Sequence, residues 1–173
     1  MSDPQGRILI VDDEPDVVEV LTTYFSHGAR FELMTAHQGA DAVMIADFRR
    51  PDAVLLDILM PGMDGIKVLR AIRALDPSIP VVMLTANADE KIARDTFTMG
   101  AFDYVSKPFD FDVLDRVVTA AVAAGTDRKW SLLGVNRAAP QARSLRVEQV
   151  VGLMRNGILE QTGSTSPRRA IAI

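Results

Sequence analysis

Four polar stretches of this sequence directly follow short apolar runs, and together they carry three carboxylates, a hydroxyl and an ammonium group. The residues are Asp12, Asp13, Asp57, Thr85 and Lys107. Clustered carboxylates repel one another unless a cation lies between them. Oxygen ligands without His or Cys suit Mg²⁺, which keeps several waters and needs only one or two carboxylates. The residue types therefore predict a magnesium site, provided that the fold brings these stretches together.

The same residues offer the parts of a phosphoryl-transfer site. With a metal ion to neutralise an incoming phosphate, Asp57 can attack as a nucleophile and form an acyl phosphate. Lys107 supplies a movable positive charge for a phosphoryl oxygen, and Thr85 supplies a hydroxyl donor. Each residue taken singly is explained more simply as part of a helix start, a strand end or a loop. Their joint occurrence after four separate apolar runs favours the chemical interpretation.

The apolar runs have the length and composition of buried strands. They span residues 7–11, 53–56, 81–84 and, more weakly, 104–105, and residues 31–35 are a fifth candidate. Runs this short without polar alternation are typical of strands covered on both faces, as in a parallel sheet.

Apolar residues at the helix period lie between and after these runs. Pro15 is suited to the first turn of the first helix, the fourth helix is predicted over residues 89–99, and Asp110 is placed to cap the fifth. Strand and helix thus alternate five times, which predicts an open, doubly wound α/β fold. In such folds, functional residues collect at the carboxyl ends of the strands.

The motifs at these strand ends resemble those of the response regulator receiver domains of two-component signal transduction. The similar motifs, all at family spacing, are VDDE at 11–14, LLDILMPGMDG at 55–65, LTA at 84–86 and VSKPF at 105–109. The resemblance extends over about residues 6–124. It implies a flavodoxin-like five-stranded parallel sheet of order 2-1-3-4-5 with five helices.

The resemblance also implies a metal site and a phosphoacceptor. Asp57 would accept a phosphoryl group from a sensor histidine kinase or a phosphotransfer protein. Mg²⁺ would be held by Asp12, Asp13, Asp57 and the backbone carbonyl of Leu59. The protein would then be a signalling switch rather than an enzyme, catalysing only its own phosphorylation and the hydrolysis of its aspartyl phosphate.

Further roles follow from the same resemblance. Thr85 and Lys107 would bind the phosphoryl oxygens, and the Lys107–Pro108 peptide bond is expected to be cis. Tyr104 would turn inward on activation and act with Thr85 as the switch. The output would pass through contacts with a downstream protein target.

Two other classes of protein are compatible with a similar sheet. An aspartate-nucleophile phosphatase needs a second acid two residues after the nucleophile, where this chain has Leu59. A flavin-binding electron carrier needs a hydroxyl- and glycine-rich loop after the first strand, where the acidic stretch 12–14 would repel the flavin phosphate. Both sequence features argue against these alternatives.

The charge is distributed unevenly along the chain. Residues 1–124 carry 11 basic and 20 acidic residues, giving -9, and residues 125–173 carry 8 basic and 3 acidic residues, giving +5, which together make the net charge of -4. We therefore divide the chain into a receiver domain, 1–124, and a basic linker and tail, 125–173. The tail is predicted to be partly helical, with one helix over about 145–160 and a disordered end.

The tail is too small for the usual DNA-binding output domains and shows no helix-turn-helix pattern. We predict that the tail forms a docking helix, which serves either self-association through residues 108–160 or contact with a partner. We do not expect a nucleic-acid partner. A helix that simply packs on the acidic receiver, and a DNA-binding transcriptional regulator acting through the basic tail, remain the alternatives. The sequence shows neither a signal peptide nor an apolar stretch of about 20 residues, so we expect a cytoplasmic protein without membrane contact.

Overall fold

The computed structural model describes residues 4–86 and 90–132, in which strands and helices alternate five times. The strands are β1 (Arg7–Val11), β2 (Glu32–Ala36), β3 (Ala53–Asp57), β4 (Val81–Thr85) and β5 (Asp103–Ser106). The helices are α1 (Pro15–Ser26), α2 (Gly39–Arg49), α3 (Gly65–Leu75), α4 (Glu90–Thr98) and α5 (Phe111–Leu132). A short 3-10 turn, His27–Ala29, follows α1. No helix within the described ranges combines the length and the apolar character that crossing a membrane requires.

The five strands form one parallel sheet of order β2-β1-β3-β4-β5, as the resemblance implied. The register pairs Val11 with Leu56, Asp57 with Leu84, and Thr85 with Ser106. All strands therefore end at the same edge of the sheet. Strands β3 and β4 are buried along their whole length, as expected for central strands that are covered on both faces.

Successive residues along each central strand belong to two different cores. Leu9 and Val54 pack on one face of the sheet against α2 and α3, while Ile8 and Leu55 pack on the other against α1 and α5. This alternation follows from the two-residue period of a strand. Each fully buried aliphatic side chain contributes about 1.5–3 kcal/mol relative to its exposed state.

Helix α1 buries a different stripe from the most regular one in its sequence. In the sequence, apolar residues recur at the helix period at positions 17, 20, 21 and 24. The structure instead buries Val18, Leu21 and Phe25. Val20 is 49% exposed. Apolar residues lie on more than one side of this helix, so only contact with the sheet selects the buried side.

Helix α5 is longer than the sequence indicated. We predicted a linker from residue 125, but α5 continues to Leu132, so that prediction is wrong for residues 125–132. Gly125 does not end the helix. A Cβ atom at this position would overlap the carbonyl oxygen of Asp52, so glycine lets α5 approach the chain just before β3. The predicted tail helix over about 145–160 and the disordered end lie outside the described residues.

The close approach at Gly125 can be tested by adding a methyl group. We expect Gly125→Ala to lower the free energy of unfolding by about 1–3 kcal/mol, because the methyl overlaps the backbone of Asp52. Helix propensity alone predicts the opposite sign, a gain of about 1 kcal/mol. Urea unfolding followed by circular dichroism measures the change, with exposed Ala123→Gly as a propensity control on the same helix. An unchanged or higher stability of Gly125→Ala would contradict the close packing.

Candidate functional site

Four strands deliver the predicted functional residues to one edge of the sheet. Asp12 directly follows β1, Asp57 ends β3, Thr85 ends β4 and Lys107 directly follows β5. The two aspartates and the threonine are buried. The structure thus brings the sequence-predicted residues together, because parallel strands place their carboxyl ends side by side.

Three carboxylates form the centre of the site. Asp12, Asp13 and Asp57 each offer one oxygen, and these three oxygens lie within 4.8 Å of one another. In an octahedral shell with metal–oxygen distances of about 2.0–2.1 Å, neighbouring oxygens are about 2.9 Å apart and opposite ones about 4.2 Å. The donor set and its spacing therefore fit one small, hard divalent cation after minor side-chain movement.

Lys107 places its ammonium group among these carboxylates. Its Nζ lies 2.7 Å from Asp12 Oδ2, 2.9 Å from Asp57 Oδ1 and 3.6 Å from Glu14 Oε1. The lysine side chain is 15% exposed. Three clustered carboxylates and one ammonium sum to -2, which is the charge that a divalent cation balances. Glu14, the third ion-pair partner of Lys107, lies outside this cluster of three. It was part of the acidic motif but was not predicted as a site residue.

Backbone hydrogen bonds hold the loops that carry these side chains. Asp12 Oδ1 accepts from the Glu14 N–H at 3.0 Å, and the Lys107 N–H donates to the Thr85 carbonyl at 2.7 Å. The Lys107–Pro108 peptide bond is cis, as expected. The loop after β1 and the loop after β5 are therefore each anchored to the strand ends that they complete.

The loop between β3 and α3 needs glycine for a packing reason. Gly65 donates its N–H to the Ile58 carbonyl at 3.0 Å, and a Cβ atom on Gly65 would overlap the carbonyl oxygen of Asp57. Asp64 caps α3 by accepting from the Lys67 N–H at 2.9 Å. The sequence pattern by itself indicated only a turn here, because the packing of the loop against β3 cannot be read from the neighbouring residues.

Burial and charge act in opposite directions on the acceptor candidate. Burial raises the pKa of Asp57 above its usual range, and Asp12 adds to this, while the hydrogen bond and charge of Lys107 and the Leu59 N–H lower it. The result is a raised pKa. For Lys107, burial lowers the pKa, but the hydrogen bonds to Asp12 and Asp57 outweigh burial and the pKa is raised.

The two predicted switch residues lie on neighbouring strands at different distances from this edge. Thr85 ends β4, whereas Tyr104 lies inside β5 opposite Met83 and is half-buried. The Tyr104 ring packs edge-to-face on Phe97 of α4, with ring centroids 5.8 Å apart. Phe97 was not identified from the sequence, since a contact between a helix and the next strand follows no spacing rule. The switching role of both residues stays a prediction.

Comparison with known proteins shows that the chain is similar to response regulators. A family profile described as the response regulator receiver domain matches residues 8–119. The chain is 43% identical over 124 residues to the regulatory protein AtoC of Escherichia coli (strain K12), covering 72% of this chain and 27% of AtoC. It is 38% identical over 135 residues to the DNA-binding response regulator MtrA of Mycolicibacterium smegmatis, covering 78% of this chain and 58% of MtrA. The chain therefore spans less than two thirds of these relatives.

Solved structures of response regulator receiver domains are also similar to the chain. The receiver domain of NtrX from Brucella abortus is similar with a TM-score of 0.63 and 33% identity, over 66% of this chain and 97% of that one. The receiver domain of the Francisella response regulator 1452 has a TM-score of 0.63 and 26% identity, over 68% of this chain and 96% of that one.

The raised pKa of Asp57 predicts how its replacement changes stability with pH. Folding disfavours the ionised Asp57 carboxylate, so without metal Asp57→Asn should raise the melting temperature at pH 7 by a few degrees. The gain should vanish as the pH falls through the raised pKa and below about 4, where the carboxyl is protonated in the folded and unfolded states. Thermal unfolding in EDTA between pH 3 and 8 measures this.

Asp64→Asn is a control of opposite sign, because the Lys67 N–H lowers the pKa of Asp64. That variant should be slightly less stable than wild type at pH 7 and equal to it at low pH. A destabilised Asp57→Asn protein at pH 7 would contradict the dominance of burial at Asp57.

Proposed function

Because the chain belongs to the response regulator receiver domain family, we propose that Asp57 is its phosphoacceptor and that phosphorylation of this residue switches the protein. One observation carries the proposal. The Asp57 carboxylate is buried at the end of a central strand, clustered with Asp12 and Asp13, and lies 2.9 Å from Lys107. A single nucleophilic oxygen is thus surrounded by the cation ligands and the counter-charge that phosphoryl transfer requires.

The proposed donor is a phosphohistidine of a sensor histidine kinase or a phosphotransfer protein. An Asp57 oxygen attacks the phosphorus, the phosphorus–nitrogen bond breaks as the phosphorus–oxygen bond forms, and the freed imidazole takes up a proton. Lys107 favours the ionised carboxylate that this attack needs. The protein changes its own covalent state, so it acts as a switch rather than as an enzyme on other substrates.

Asp12, Asp13, Asp57 and the backbone carbonyl of Leu59 would hold Mg²⁺. Bound there, the cation would supply positive charge to the phosphoryl oxygens. Lys107 would leave Asp57 and pair with a phosphoryl oxygen, and the Thr85 hydroxyl would donate to another. Tyr104 would then take up the space that Thr85 vacates, which makes the pair a two-state element biased by a local change of charge.

We propose that the output passes through contacts with a downstream protein, in the cytoplasm. The described body of the chain lies within the acidic segment 1–124, apart from the last turns of α5. An acidic surface suits basic protein surfaces and repels nucleic-acid phosphates. Self-association through residues 108–160 stays a proposal of the same kind.

Phosphorylation of Asp57 has a direct test. After incubation with a small phosphodonor and Mg²⁺, the intact mass of wild type should show a single phosphoryl addition that disappears in EDTA. Asp57→Ala should remove it, whereas Asp64→Ala, an acid replaced in the loop after β3, should retain it. A phosphoryl group that persists on Asp57→Ala would place the acceptor elsewhere and overturn the proposal.

The second candidate is a DNA-binding regulator, because MtrA is named as one and the match covers only part of MtrA. For the protein-contact output we expect only weak binding of the full chain to duplex DNA, at the level of non-specific binding, about 10⁻⁴–10⁻⁶ M at physiological salt or weaker. Fluorescence anisotropy at two salt concentrations, with and without phosphodonor, measures it. Sequence-selective binding that tightens on phosphorylation would favour the DNA-binding alternative.

A further inference from the structure

We propose that Glu14 is a second counter-ion for Lys107, which holds the ammonium group at the rim of the site when a cation occupies Asp12 and Asp57. Glu14 is then a positioning residue that acts through Lys107 and not on a reacting atom. The inference rests on the proposed function, since it concerns the cation-bound state of that site.

The first support is the position of Glu14 relative to the other two partners of Lys107. Within the described residues, three carboxylates lie within 4.0 Å of the ammonium: Asp12 at 2.7 Å, Asp57 at 2.9 Å and Glu14 at 3.6 Å. The first two belong to the metal-binding cluster, whereas Glu14 does not and is 67% exposed. Once a cation takes the clustered oxygens, Glu14 is the member of this trio that is still available to Lys107.

The second support is the backbone around Glu14. Glu14 is the N-cap residue of α1, yet its side chain accepts no capping hydrogen bond. At the equivalent position of α3, Asp64 does cap its helix. The Glu14 backbone is tied at both ends, because its N–H donates to Asp12 Oδ1 at 3.0 Å and its carbonyl accepts from the Val18 N–H at 3.2 Å. The Glu14 backbone is thus held beside the site, and its carboxylate, which does not cap the helix, lies 3.6 Å from Lys107 Nζ.

The third support is the charge balance. Asp12, Asp13, Asp57 and Lys107 sum to -2, so a divalent cation held by the three carboxylates would neutralise the group and would repel the ammonium. Lys107 then gains by moving toward a carboxylate outside the cluster. Glu14 carries the negative charge nearest to that path, at 3.6 Å from the starting position of Nζ.

A simpler role for Glu14 makes a different prediction. Any acidic residue near the cluster attracts a cation by its charge alone, whether or not Lys107 is present. Asp16 provides the matched control, because it is an exposed acid in the first turn of α1 and forms no ion pair with Lys107 among the described residues.

The experiment is a titration of the metal-free full chain with Mg²⁺ by isothermal calorimetry at an ionic strength of about 0.15 M, where charges more than about 8 Å from the cation are largely screened. We expect Glu14→Gln to weaken Mg²⁺ binding by about two- to five-fold, the size of an exposed ion pair, because Lys107 then stays on Asp12 and Asp57. Asp16→Asn should change the affinity by less than about 1.5-fold. Lys107→Met should tighten binding, and adding Glu14→Gln to Lys107→Met should weaken binding clearly less than Glu14→Gln does in the wild-type background.

Several outcomes would overturn the inference. An equal loss from Glu14→Gln with and without Lys107, or an equal loss from Asp16→Asn, would mean that Glu14 acts by charge alone. An unchanged affinity of Glu14→Gln would remove its role while the metal site stands. Absence of Mg²⁺ binding by wild type would overturn the proposed function together with this inference. If Lys107→Met does not fold, Lys107→Gln takes its place in the same comparison, and an equal loss from Glu14→Gln and Asp16→Asn still overturns the inference.

Discussion

The concentration of negative charge at one buried edge of the sheet is the constraint on which the rest of the site depends. Asp12 and Asp57 are both buried, and their ionised forms are compatible only because a positive charge lies between them. In the described residues that charge is the ammonium of Lys107, which directly follows the edge strand β5. The carboxylate cluster therefore suits the exchange of one positive charge, the Lys107 ammonium, for another, a metal cation.

The fold meets this constraint in two central strands, β3 and β4, which carry a polar side chain only at their last residue. β3 is apolar for four residues and then ends in Asp57, and β4 is apolar for four residues and then ends in Thr85. Two buried cores hold these strands in register, so the positions of the functional side chains are set by packing. The close contact of Gly65 with Asp57 and the hydrogen bond from the Glu14 N–H to Asp12 Oδ1 then fix the loops that carry the functional side chains.

Most of the architecture could be predicted because its signals are local. Short apolar runs without alternation indicated strands buried on both faces, and the five candidate site residues stood within two residues of the ends of those runs. The strand order and the residue roles came from the motif resemblance instead, since no single residue distinguishes one parallel order from another. The side of α1 that is buried and the length of α5 could not be predicted, because each depends on which neighbour the helix touches.

By itself, the sequence determined that this chain has a parallel α/β sheet with carboxylates, a hydroxyl and an ammonium at its strand ends, since run length and terminal residue type are properties of neighbouring residues. Only the tertiary structure decided that Lys107 bridges Asp12 and Asp57, that Glu14 stands within its reach, and that Tyr104 packs on Phe97. It also decided that Gly125 continues a helix. These contacts join residues that are distant along the chain or lie on different elements, and their distances follow from how the packed elements are oriented.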